Sequence, residues 1–512
     1  MAVNLPSLLF GLGIAYIIFI FLRNQLEKLR RPLPPGPKGL PLVGNLRDLP
    51  KPGEFEAHHW LKHKEKYGRI SSVSVLRQSI IIVNDAELAR ELLERRSAKY
   101  SSRPKQIFIT EIVGWGKLLG MSPYNKRFRI MRKTLSPVIG SNAALAQFSD
   151  LQAAQVGHFL LHTLRDSENF LGHIRKAVGE FILKITYGYT AEPHRDDVLI
   201  TMNGKAAEQF GSAAVPGAFM VDLFPFLRKV PDWVPGTGWK KTARQWSAEL
   251  KAVADIPYQF VRRQVAQGRH ETSFMSRLIE AGGSDPETAG VVATFYLAMT
   301  IYPEAQERGQ EEIDRIIGKD RLPTLADREN LPYIDAIVKE TFRWNPLVPM
   351  GLPHESTEDD VCEGYSIPKG SMVFANIWHF THDPDVYAEP EAFKPERFLA
   401  GDGREPEPSP HRFVFGFGRR ICPGRLLADN SLFLFVAQSL AVFRMSKGSE
   451  ADGTEAEVKP RFQARVLSPP LPFNSIVKPR SRHHEILINS LEDIYPWQES
   501  DAKELTDIAR LD

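Results

Sequence analysis

Two of the 512 residues are cysteines, Cys362 and Cys422, and their surroundings differ. Cys422 lies in Phe415-Gly416-Phe417-Gly418-Arg419-Arg420-Ile421-Cys422-Pro423-Gly424, a glycine-rich turn directly before an apolar run at helical spacing. A thiolate is a strong, soft donor for iron. Glycines on both sides let the backbone approach a flat group and aim N–H groups at the sulfur, which tunes a metal thiolate. Arg419 and Arg420 beside it can pair with carboxylates. Cys362 sits in no motif and reads as an inert buried thiol.

A second constellation carries charge. Glu340 and Arg343 stand three apart in Glu340-Thr341-Phe342-Arg343, so on a helix they share a face and can pair. Alone, such a pair marks a helix surface. Downstream, Phe393-Lys394-Pro395-Glu396-Arg397-Phe398 supplies another arginine. The apolar stretch Leu347-Val348-Pro349-Met350-Gly351-Leu352-Pro353 ends in His354, and a basic helical stretch runs from Lys126 to Lys133 through Phe128 and Arg132.

Taken together, F-x-x-G-x-R-x-C-x-G at 415–424, E-x-x-R at 340–343 and the arginine at 397 resemble the signature of the cytochromes P-450, the haem-thiolate monooxygenases. The resemblance covers roughly residues 30 to 480 and is strongest for fungal microsomal members of secondary metabolism. It implies a mainly α fold with small β-sheets, the cytochrome P-450 fold, built as a single haem domain behind an N-terminal transmembrane helix. It implies haem b held by Cys422 as the axial thiolate, a mode of ligation that favours O–O cleavage. By the same resemblance Arg132, Arg420 and His354 hold the haem carboxylates, while Phe415 and Gly418 shape the cysteine loop. The family places W-x-x-x-R where this chain has Phe128 and Arg132. Glu340, Arg343 and Arg397 correspond to a buried structural triad, and breaking such a set costs about 3–5 kcal/mol. Electrons come from NADPH through a reductase, for which Lys126, Arg127, Arg129 and Lys133 offer a basic docking patch or simply a solvated face. The substrate is a lipophilic small molecule, with Leu347, Val348 and Met350 at the pocket's border or in the core.

One segment departs from the family. The acid–alcohol groove of the distal helix, which delivers protons to the oxygen site, should fall on 284–288, where the chain reads Ser284-Asp285-Pro286-Glu287-Thr288. Only Thr288 matches, as the catalytic alcohol. Read locally, Asp285 is an N-cap and Pro286 a first helical residue, so a helix starts where the family is in mid-helix. About twenty residues, roughly 30 Å of helix, are missing relative to the family pattern. A non-catalytic haem protein, or a haem-thiolate rearrangement or dehydration without O2 activation, therefore stands beside the monooxygenase reading.

The elements that must position these residues follow from patterning. Residues 5–22 form an apolar run of about 18 residues, roughly 27 Å of helix, followed by Arg23, Lys28, Arg30 and Arg31. This predicts a single anchor in the endoplasmic reticulum membrane with the catalytic body cytosolic, and the missing cleavage site argues against a signal peptide. Residues 32–46 are a proline-rich hinge, 47–481 the haem domain, and 482–512 a tail outside the resemblance, acidic towards its end. Alternation predicts hairpins over 72–83 and 360–373, and apolar periodicity predicts a helix over 426–443. An apolar content of 43% is ample for one large core, and a net charge of +3 gives no argument for nucleic acid. Two cysteines exclude a disulfide framework.

Overall fold

The computed structural model describes residues 32–508, apart from 52, 77, 216, 272, 274, 276–288, 402, 404, 449–453 and 455. The expected anchor at 5–22, the groove at 284–288 and Thr288 lie outside the described residues. Among those described, one helix, Arg425–Val442, is long and apolar enough to cross a membrane, and most of it is buried in the core.

The fold is mainly helical with small sheets. The longer helices are α1 (Glu56–Tyr67), α2 (Ala86–Arg90), α3 (Lys126–Ile139), α4 (Ser149–Arg165), α5 (Phe170–Tyr187), α6 (Val198–Ala213), α7 (Gly238–Ala266), α8 (Ala289–Ile301), α9 (Pro303–Ile316), α10 (Pro332–Trp344), α11 (Arg425–Val442), α12 (Arg482–Ile494) and α13 (Ala502–Ile508). Local chemistry sets several starts. Asn125 and Asp197 accept backbone N–H groups at the heads of α3 and α6, and proline opens α9 and α10. α8 is apolar on all faces, and Val292, Phe295, Tyr296, Leu297, Ala298 and Met299 are buried, so it has to run through the interior. Helices α4, α5, α10 and α11 surround it in the largest apolar cluster.

Strands β1 (Ile70–Val75) and β2 (Gln78–Val83) form the expected first hairpin. The second expected hairpin divides. β4 (Asp360–Cys362) and β5 (Tyr365–Ile367) pair with each other, following β3 (His354–Glu355), whereas β6 (Met372–Ala375) joins the first sheet in the order β1-β2-β6-β3. β6 runs parallel to β2, with Ile80 opposite Met372, and its four buried residues pack on both faces. Period-two patterning cannot tell such a strand from a hairpin arm, because the partner is chosen by burial. Sheet pairing also puts His354 opposite Val373. The proline segment is docked from its first described residue: Ser72 donates to the carbonyls of Pro34 and Pro35, and Ser366 to that of Pro32.

The tail packs on the body. Ile488 and Leu491 of α12 enter the main core, and α12 lies along α4. Trp497 stacks on His158 with ring centres 4.0 Å apart, and the Asp501 carboxylate accepts the Thr190 N–H at 2.8 Å. In α13, Leu505 joins Leu183 and Phe260 in a second cluster, and Glu504 accepts from Gln264 of α7. Replacement of Leu491 by Ala should cost about 2–5 kcal/mol of stability, read as a lowered denaturation midpoint.

Candidate active site

The turn before α11 is built by its own backbone. The Cys422 N–H donates to the Phe415 carbonyl at 2.8 Å, and the Ile421 N–H to that of Gly418 at 3.2 Å. Gly418 has φ +52°, and a Cβ there would lie 2.4 Å from the Leu93 carbonyl oxygen, so only glycine fits. Cys422 is half-buried, two residues ahead of the Gly424 cap of α11. The positive end of a helix favours a thiolate there. Burial pushes the thiol of the other cysteine, Cys362, up to about 11, which keeps it protonated.

Around this turn the fold gathers cations. Arg132 of α3 donates to the Ile421 carbonyl at 2.6 Å. Arg420 is buried, donates to the carbonyls of Ser101 and Ser122, each at 2.6 Å, and lies 3.8 Å over the Phe128 ring. Phe128 thus puts a cation–π face where the family has an indole. His354, at the sheet edge, donates through Nδ1 to the Tyr100 carbonyl at 2.7 Å. A fourth member, Arg103, carried no signal in the sequence. It is buried and donates to the carbonyls of Gly120, Leu352 and Pro353. Its context, Ser101-Ser102-Arg103-Pro104, is that of any surface arginine, and only burial singles it out.

Among the described residues, none of these three arginines forms an ion pair with a protein carboxylate. Their protonation reflects it. Burial, and then the Arg420 charge, hold the Arg103 guanidinium well below its ordinary value. Burial and Arg132 push Arg420 down to about 10. Burial and Arg103 keep the His354 imidazole neutral. Burial lowers Arg132 too, with the Cys422 sulfur acting in the opposite direction. Buried like charges without a counter-charge are costly, and a ligand carrying carboxylates relieves that cost. A flat iron porphyrin with carboxylate arms fits this donor set: sulfur at Cys422, cations beside it.

The other charge cluster is balanced. Glu340 and Arg343 are fully buried on α10 and paired through two contacts, 2.7 and 2.8 Å. Arg397 approaches the same carboxylate at 3.1 Å, and the Lys394 N–H donates to it at 2.7 Å. Arg343 also donates to the carbonyls of Thr381, Pro390 and Ala392, and Arg397 pairs with Glu407 at 2.6 Å. On the same helix the Phe342 ring meets Phe415 with centres 5.1 Å apart. The triad therefore holds the segment that leads into the cysteine turn.

The model for the family described as Cytochrome P450 matches residues 34–475. This chain belongs to the cytochrome P450 family. It is 44% identical to cytochrome P450 monooxygenase claR of Ampulloclitocybe clavipes, over 96% of this chain and 94% of that one. It is 43% identical to cytochrome P450 monooxygenase 208 of Postia placenta, over 93% and 96%, and 38% identical to O-methylsterigmatocystin oxidoreductase of Aspergillus flavus, over 95% of each. The P450 is accordingly a monooxygenase, an oxidoreductase of the haem-thiolate class that draws electrons from a redox partner.

A separate aromatic cluster packs on the helical segment Ile107–Val113, an arrangement termed the lid below. Phe108 stacks on Phe219, Trp246 meets Phe108 edge-on at 5.7 Å, and Trp115 lies 4.5 Å from Phe210. The lid is latched by polar groups. Asp222 accepts the Phe108 N–H at 2.7 Å, and Gln106 donates to the Ala214 carbonyl at 2.8 Å. The second Asp222 oxygen is buried without a hydrogen-bond partner, and burial raises this carboxyl to about 6.

Two outcomes follow from these contacts. Glu340→Ala leaves the buried Arg343 guanidinium facing no anion and Arg397 with Glu407 alone, and should destabilise the enzyme by about 3–5 kcal/mol in urea titration. A carboxyl whose value is raised by burial favours the closed lid below its ordinary range near 4, and that advantage disappears as pH rises through about 6. Amide exchange of residues 219–227, corrected for intrinsic rates, should accelerate across that window and become flat in Asp222→Asn.

Proposed function

We propose that this chain is a membrane-anchored monooxygenase that inserts one oxygen atom from O2 into a lipophilic small molecule of fungal secondary metabolism, with Cys422 as axial ligand of haem b. The observation that carries this reading is the juxtaposition of Cys422 with the guanidiniums of Arg103, Arg132 and Arg420, which have no carboxylate partner among the described residues, and with the neutral imidazole of His354. When bound, the haem supplies the activation of O2 that no amino-acid side chain can perform.

The residues have distinct tasks. Cys422 supplies the sulfur donor, presented two residues ahead of the Gly424 cap of α11. Arg103, Arg132 and Arg420, with His354, bind and orient the porphyrin carboxylates, which restores charge balance in the buried cluster. Gly418 and Gly424 keep Cβ atoms out of the turn, with 3.9 Å between a Gly424 Cβ and the sulfur. The Phe108, Phe210, Phe219 and Trp246 lid excludes water from an apolar substrate. Thr288, which matches the family alcohol position by sequence, is the proposed proton donor.

Membrane attachment in the endoplasmic reticulum is supported by the apolar run at 5–22 and by exposed apolar side chains. Leu42 is 88% exposed and Trp233 83%, with Leu40, Met220 and Phe226 also exposed. A Cβ at Gly217 would lie 3.5 Å from Leu49 Cδ1, so the segment after the hinge and the lid lie side by side and can meet one bilayer surface. Relatives such as O-methylsterigmatocystin oxidoreductase support a substrate of secondary metabolism. An NADPH-cytochrome P450 reductase is the proposed electron donor, and exposed Lys126, Arg127, Arg129, Lys133 and Arg419 near the cysteine turn suit an acidic partner face.

The test is expression in microsomes with that reductase, followed by the reduced CO-difference spectrum and NADPH consumption with lipophilic substrates. The wild type should give a thiolate-type shifted Soret band, and Cys422→Ser should abolish it while the protein still accumulates. A shifted band retained in Cys422→Ser, or no haem in the wild type, overturns the assignment. Haem without oxygen uptake transfers support to rearrangement or dehydration chemistry, the reading favoured by the altered groove at 284–288.

A further inference from the structure

Asn345, the residue that ends α10, is 2% exposed and spends its amide on two partners in different segments. Its Nδ2 donates to Thr294 Oγ1 of α8 at 3.0 Å and to the Ser468 carbonyl at 3.0 Å. Thr294 in turn donates to the Gly290 carbonyl at 3.1 Å, one turn earlier on α8. The Ser468 N–H donates to the Leu347 carbonyl at 2.8 Å. The circuit closes by contact. A Cβ at Gly290 would lie 2.6 Å from Leu347 Cδ1 and 3.3 Å from Pro469 Cβ, so three segments touch at a glycine.

Each segment enters this knot with a different origin. α8 is the apolar interior helix, 345–353 leads from the buried triad to His354, and 466–470 is a loop that returns before β7 (Ile476–Pro479). Val466 and Leu352 pack on the lid cluster, which ties two of the three segments to the face that the proposed function gives to the substrate. Both Nδ2 hydrogens are used, and both acceptors are buried, so no other residue type of this size satisfies the pair. Losing the donor leaves a buried hydroxyl and a buried carbonyl short of a partner.

We propose that Asn345 is a positioning residue that sets the mutual placement of the three substrate-side walls, and so determines which lipophilic substrates fit and how they lie. Among the described residues none of its hydrogen bonds goes to the cysteine turn or the cationic cluster, and it acts through Thr294, Ser468 and Leu347. The inference rests on the haem-enzyme reading, and the two are separable by probe: CO and imidazole report on the haem, whereas 4-phenylimidazole carries a ring that must fit between the walls.

The experiment compares wild type with Asn345→Asp, Thr294→Val, Thr294→Ser and Gly290→Ala in the full chain. Asn345→Asp keeps the shape but cannot donate to the Ser468 carbonyl. Thr294→Val removes the hydroxyl, Thr294→Ser keeps it, and Gly290→Ala pushes on Leu347 while every hydrogen bond stays in place. The expected result is an intact thiolate-type CO band and unchanged imidazole affinity throughout. Binding of 4-phenylimidazole should weaken about tenfold in Asn345→Asp and Thr294→Val, change in Gly290→Ala, and stay at wild-type strength in Thr294→Ser. Unchanged 4-phenylimidazole binding in Thr294→Val and Gly290→Ala overturns the proposal. So does a parallel loss of the CO band and of both ligands, which marks a purely structural role. If Asn345→Asp does not fold, the Thr294 pair and Gly290→Ala decide the matter alone.

Discussion

Glu340 is one carboxylate in a dry interior, and it serves two guanidiniums and one backbone amide at once. An ion in that position is tolerated only when every lone pair is occupied, and here each is. The consequence is geometric. Helix α10, the 390–398 loop and Glu407 are locked to each other, and the Phe342–Phe415 contact passes that rigidity to the cysteine turn. A metal thiolate needs such support, because a soft ligand on a mobile loop would neither hold its metal nor keep its distance from the cations beside it.

The two charge clusters of this P450 solve opposite problems. The triad is neutral enough in sum to be finished, and it asks nothing of a ligand. The cluster at Arg103, Arg132, Arg420 and His354 is unfinished: burial lowers all four groups, and only backbone carbonyls and an aromatic face accept their hydrogens. Such a cluster holds its charge best when an anion completes it. A buried charge left open next to a buried charge closed is therefore a mark of a binding site, whereas either cluster considered alone would be ambiguous.

The substrate side follows a different economy. Its walls are apolar, its fastenings are single hydrogen bonds, and its aromatic lid is latched by Asp222 and Gln106. Helix α7 links this lid to the far end of the molecule. Trp239 and Trp246 near its start meet Phe108, while Phe260 and Gln264 near its end are gripped by the tail through Leu505 and Glu504. The tail thus steadies the helix on which the lid rests, although it lies beyond the segment that matches the family.

Local sequence was sufficient wherever a residue's partner lies a few positions away. The glycines of the cysteine turn, the β1–β2 hairpin and the apolar period of α11 depend on near neighbours, and they could be read directly. Glu340 and Arg343 were legible as a pair because three residues of helix bring them together, and Arg397 only through resemblance. Arg103, Asn345 and the partner of β6 were not legible. Their significance comes from burial and from contacts made across as many as 250 residues for Arg103, and 51 and 123 for Asn345. An arginine in water and an arginine sealed beside another arginine have the same letter in a sequence. Desolvation, which only the packed chain imposes, is what turns the second into part of a site.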